Sequence, residues 1–198
     1  MRTILLVTLI CFSLGACKEK IKDTVELREM NAVLAELNKT KGMLDSIDFK
    51  QYDQIKKKVT QDILWIQENL HDTLTRQHSI LISNYARIAG KRGIGTAIKK
   101  EDEPKTDAGY DKQRKDFIRK ELDLCINQLE NLKHDTENKI IITEEVRQFL
   151  KTEKENSEKI ITYVRLERSK SLNAREIADS LGPQIAHFID SLKMKQKP

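Results

Sequence analysis

From residue 27 onward, apolar side chains recur every three or four positions, the period of one face of an α-helix. Leu27, Met30, Leu34 and Leu37 form the first such stripe, which Lys41-Gly42 is expected to end. Asp23 followed by Glu26 reads as a capping box before it. Asp48 with Gln51 reads as the next start, with Ile47 able to staple onto Tyr52. Ile55, Val59, Ile63, Ile66, Leu70 and Leu74 carry that face on, and Leu81, Tyr85 and Ile88 extend it. One helix of about 40 residues, roughly 60 Å long, fits this run. A break at His71-Asp72-Thr73 is the alternative, with Asp72 as the new cap.

Beyond Gly90, Gly93 and Gly95 the pattern loosens, and residues 101–109 with Pro104 read as a hairpin loop. Ile118, Leu122, Cys125, Leu129 and Leu132 then alternate spacings of four and three, a heptad seam lasting about two heptads. Ile140-Ile141-Ile142 interrupts, because β-branched runs are poor helix formers. Thr143 is the expected N-cap of the following helix, with Glu144 and Glu145 at its positive end. Its apolar face comprises Val146, Phe149, Leu150, Ile160, Ile161 and Val164, with Glu153 and Ser157 making the middle polar. Asn173 with Glu176 reads as a further start, with Leu172 stapled to Ile177. Gly182-Pro183 is expected to kink or restart the helix before Ile185, Phe188, Ile189 and Leu192. The predicted fold is all-α: an elongated antiparallel bundle of five or six helices with coiled-coil-like hairpins on either side of loop 101–109.

Composition agrees. Seven glycines and three prolines among 198 residues are too few for a many-stranded β-sandwich. Charged residues at 34% and hydrophobic residues at 38% suit solvated helices around a narrow core.

The N-terminus carries a different pattern. Arg2 precedes an almost unbroken apolar stretch of eleven residues, Ile4 to Leu14. It is too short for a bilayer span, which needs about 20 residues, and it fits a secretory h-region. Leu14-Gly15-Ala16-Cys17 follows: an aliphatic residue, two small residues and a cysteine. This order resembles the lipobox of bacterial lipoproteins, over residues 1–17 alone. The resemblance implies cleavage between Ala16 and Cys17, and diacylglycerol (often with a further acyl chain such as palmitate) on Cys17. Two or three chains anchor stably where one does not. On this reading, residues 1–16 are a signal peptide, 17–22 a lipidated tether, and 23–198 the helical domain. Loss of Arg2 lowers the formal charge from +5 to +4. Lys18-Glu19-Lys20 lacks the aspartate of inner-membrane retention and resembles only in part the surface-export signal of Bacteroidota lipoproteins. The outer membrane is the expected destination, with the leaflet open.

Catalytic constellations are not evident. Glu68 and His71 have the Glu-x-x-His spacing of di-iron bundles, but a second such motif is missing. They are the residues a metal would need, and no metal site or cofactor is expected. Cys125 falls on the heptad seam, where a thiol packs as an inert small hydrophobe. With Cys11 in the leader and Cys17 lipidated, it also lacks an intramolecular disulfide partner. Gly90 to Thr96 does not match Gly-x-x-x-x-Gly-Lys-Ser/Thr and follows a helix where a P-loop follows a strand.

Charge offers one surface candidate. Arg87, Lys91, Arg92, Lys99 and Lys100 occupy a stretch without acidic residues, and Lys193, Lys195 and Lys197 end the chain. Solvated helix ends account for them; contact with anionic phospholipid, lipopolysaccharide or an acidic partner is the sharper reading. Nucleic acid does not fit the export signal. The expected role is therefore non-enzymatic: a lipid-anchored envelope module, structural or protein-binding, with an envelope protein of unknown identity as its partner. A small-ligand or lipid carrier with a pocket between helices is the alternative.

Overall fold

A computed structural model describes residues 24–71, 73–90 and 110–195. Five α-helices account for most of them: α1 (Val25–Asp45), α2 (Phe49–Asn69), α3 (Arg76–Ala86), α4 (Tyr110–Glu137) and α5 (Thr143–Lys195), with a short 3-10 turn at Arg87–Ala89. No strand occurs among the described residues. The fold is the all-α bundle that the apolar spacing demands. The leader and tether (1–22), the Asp23 cap, Asp72, Gly93, Gly95, loop 101–109 and Lys197 lie outside the described residues.

The chain divides into two compact units. The first holds residues up to Asn38 with Asp123–Lys159, and the second Lys39–Leu122 with the chain from Ile160 onward. In the first unit, Leu27, Met30 and Leu37 of α1, Cys125, Leu129 and Leu132 of α4, and Val146 and Leu150 of α5 are buried. The seam residues Ile118 and Leu122 are buried in the second. Thr24 opens α1, its Oγ1 accepting from the Leu27 amide at 3.2 Å. Arg147 Nε lies 3.0 Å from Glu26 Oε1, and Lys154 Nζ 3.0 Å from Glu29 Oε2. Since both partners advance along the chain together, α1 and α5 run parallel here. The α4–α5 connection closes with Lys139 at φ 56. The Lys139 amide bonds to the Thr136 carbonyl at 3.2 Å and the Ile140 amide to the Asp135 carbonyl at 2.9 Å. That is a Schellman close, with lysine where glycine is usual.

The second unit has its own core. Val59, Ile63 and Ile66 of α2, Ile82 and Tyr85 of α3, and Ile185, Phe188 and Leu192 of α5 form one cluster. Asp48 caps α2 as expected, accepting from the Gln51 amide at 2.8 Å. The break between α2 and α3 is real: α2 stops at Asn69 and α3 begins at Arg76. The cap is Thr75, which accepts from the His78 amide at 3.2 Å. The Tyr85 hydroxyl donates to Asp62 at 2.8 Å, tying α3 back to α2.

Several sequence expectations are corrected. Gly42 does not end α1, which continues to Asp45. A mid-helix glycine costs about 1 kcal/mol, whereas burying the Leu44 side chain beyond it returns about 1.5–3 kcal/mol. Thr143 is already inside α5; the Ile142 carbonyl accepts from the Val146 amide, which places the cap at Ile142. Phe149 is exposed, not part of the buried face. Asn173 starts nothing, since α5 is continuous from Thr143 to Lys195, and Leu172 is exposed. Gly182-Pro183 lies inside that helix too. Proline removes an amide donor and crowds the residue before it. A glycine there has no Cβ to crowd, and the Gln184 side-chain amide donates to the Ser180 carbonyl at 3.1 Å. Burial of Ile185, Phe188 and Leu192 just beyond supplies the stabilisation that carries α5 through.

Candidate functional site

The densest concentration of polar chemistry lies in the second unit. Arg114 of α4 forms an ion pair with Glu167 of α5, whose side chain is 2% exposed. Lys170, one turn on, reaches the other Glu167 oxygen at 3.0 Å. The Arg114 guanidinium stands over the Phe49 ring of α2, 5.0 Å from its centroid. Three helices thus meet at one arginine. Burial opposes the Arg114 charge, but the Glu167 carboxylate and a bond to Tyr163 outweigh it and hold its pKa above the ordinary value. Burial pushes the Tyr52 phenol up, and the Glu167 charge adds to that. Tyr85 is raised well above its ordinary value, by burial first and then by its bond to Asp62. Both phenols therefore stay protonated at neutral pH, and Tyr85 serves as a donor, not as a base.

Beside this network lies a groove of about 420 Å³, lined by Tyr52, Arg87, Lys170, Asn173, Glu176 and Ser180 among others. Arg87 belongs to the basic stretch singled out in the sequence, and it is exposed on the 3-10 turn that Gly90 closes at φ 78. Lys91, Arg92, Lys99 and Lys100 lie outside the described residues, as do Ala16 and Cys17. Lys193 and Lys195 sit in the last turn of α5, where cations suit the helix end. A second groove, about 820 Å³, is lined by Gln77, His78, Gln184, His187 and Phe188. There the His78 ring lies 4.5 Å from the Phe188 ring between centroids. In the first unit a groove of about 720 Å³ follows the Glu26–Arg147 and Glu29–Lys154 pairs.

Glu68 is exposed near the end of α2, and His71 is exposed beyond that end, so they do not share a helix face. No group of three or more His, Cys, Asp or Glu able to hold a metal gathers among the described residues. Cys125 is a buried thiol on the seam of α4. Sequence reading missed Glu167 and Arg114. The available signal was position: Glu167 falls three residues after Val164 on the buried line of α5, where a charged side chain demands a partner.

No family model matches the chain, and neither a curated protein nor a solved structure matches it significantly.

Proposed function

We propose that this is a non-enzymatic, lipid-anchored protein of the bacterial cell envelope, whose helical bundle serves as a structural or protein-interaction module. The lipobox-like Leu14-Gly15-Ala16-Cys17 supports the anchor. The observation that supports the module reading is a set of large apolar side chains exposed on the helices: Phe149 is 51% exposed, Phe117 61% and Leu172 53%. Such side chains offer anchors for a partner, whose docking would cover them. Some charged groups, by contrast, fix helices to one another: Arg114 joins α4 to α5 through Glu167, and Arg147 and Lys154 join α5 to α1. Arg114 and Lys170 both pair with Glu167, and the first-unit groove runs along the Glu26–Arg147 and Glu29–Lys154 ion pairs. A groove edged by ion pairs suits a wetted surface better than an apolar ligand, which favours the module over the carrier.

Replacing Cys17 by Ala tests the anchor. The wild type should take up labelled fatty acid and fractionate with membranes, and the variant should lose both. Membrane retention without lipid label would overturn the anchor. Cross-linking from the exposed Phe149 face in the native envelope tests the module. A single dominant adduct is expected, and the absence of any adduct would remove the interaction role.

A further inference from the structure

One end of the first unit is apolar in a way its core does not require. Ile140 is 61% exposed and Ile142 65%, at the tip of the α4–α5 turn. The Schellman close at Lys139 holds that tip in a defined conformation. Val25, in the first turn of α1, is 61% exposed as well. The Glu26–Arg147 pair sets the start of α1 beside the start of α5, and Glu29–Lys154 shows that both helices leave in the same direction. The start of α1, the end of α4 and the start of α5 therefore share one end of this unit. The chain preceding Thr24 joins at that end. From Cys17 to Thr24 is seven residues, which span at most about 25 Å when fully extended.

We infer that Val25, Ile140 and Ile142 form a membrane-contacting tip that seats this end of the bundle in the lipid surface to which Cys17 is anchored. The inference rests on the lipid-anchor reading, because that reading places a bilayer within reach of the tip. Isoleucine is a poor residue for an exposed turn in water and a good one at the headgroup–acyl boundary. A tip seated there adds apolar contact at no further cost in tethering, since the anchor has already confined the chain to the surface. It also orients the module, which acyl chains on a short tether alone do not.

The full-length protein, expressed with its signal and purified with its lipid, is reconstituted in phosphatidylethanolamine–phosphatidylglycerol vesicles. Single variants Ile142→Cys and Leu124→Cys, the latter exposed on α4 of the same unit and far along it from the tip, each carry an environment-sensitive fluorophore. The label at 142 should emit at shorter wavelength and be quenched by brominated acyl chains about threefold more strongly than the label at 124. Equal quenching at the two positions would overturn the inference. So would a label at 142 that is shielded from aqueous iodide yet untouched by brominated lipid, since a protein would then cover the tip. The mass of the N-terminal peptide reports lipid on Cys17 separately. An unlipidated Cys17 overturns the anchor, whereas a lipidated Cys17 with an aqueous tip overturns only the tip.

Discussion

Glu153 and Glu167 lie on the same helix, α5, and on the same inward line of residues, yet the protein treats them differently. Glu167 is almost wholly buried and is met by Arg114 and Lys170. Glu153 is half-buried, and its Oε2 finds no hydrogen-bond partner among the described residues. Four residues on, the Ser157 hydroxyl is buried and equally unmatched. The first unit thus tolerates polar groups in its seam that it does not satisfy, while the second builds a three-helix junction around one. A buried charge with a partner specifies an arrangement; a buried polar group without one only weakens it.

The largest effect should come from breaking the matched site. Glu167→Ala leaves the Arg114 guanidinium partly buried without its main counter-charge, at a cost of about 3–4 kcal/mol. Urea titration at pH 7 reads this as a lower midpoint with little change in slope. Replacing both partners with apolar residues of similar size, Arg114→Met with Glu167→Leu, should recover most of the loss, because the penalty lies in the stranded charge. If the single and double variants lose the same amount, the pair is not what holds α4 to α5 at this point.

The unmatched site predicts the opposite sign. Glu153→Leu should raise stability by about 1–2 kcal/mol, because it removes an unsatisfied buried oxygen and adds apolar surface to the seam. Its pH dependence separates this from a general effect of leucine. Burial raises the Glu153 carboxyl above its ordinary value of 4.5. The folded chain then binds this proton more tightly than the unfolded chain. Stability from this group is present below pH 4.5 and is lost as pH rises through the higher folded value. Glu26 behaves inversely. A bond to its own backbone amide and then Arg147 hold it below the ordinary value, so its contribution is lost as pH falls. The gain from Glu153→Leu should therefore shrink on acidification toward pH 4. A gain independent of pH would mean that the carboxylate charge is not the cause.

The contrast also explains what could and could not be read from residues alone. The helical period, the Asp48 cap and the heptad seam through Leu122 and Leu129 were legible because each is a local pattern. The continuity of α5 was not. Gly182-Pro183 and Asn173 are local signals for stopping, and they were overruled by Ile185, Phe188 and Leu192 packing against residues a hundred positions earlier in α2 and α3. Gly42 is overruled in the same way, with Leu44 beyond it buried. Glu153 and Ser157 were visible as a polar interval in an apolar stripe. Whether that interval turned outward or inward depended on the other helices of the unit. The Arg114–Glu167 site was invisible because its members are far apart in sequence and neither carries a motif.

Ser157→Ala gives the smallest and most exacting test of the same contrast. The serine side chain is fully buried in mid-helix, and its hydroxyl makes no hydrogen bond among the described residues. Alanine leaves the rest of the side chain's packing in place, removes the unmatched hydroxyl and has the better helix propensity, the last worth about 0.5 kcal/mol. A net gain of about 0.5–1 kcal/mol follows, seen as a rise in Tm of roughly 1–4 °C for a chain of this size. Unlike Glu153→Leu, the change alters no charge, so the gain should be the same at pH 4 and pH 7. A loss of stability instead would show that the hydroxyl is bonded in solution. The seam of the first unit would then be as fully matched at Ser157 as the second unit is at Glu167.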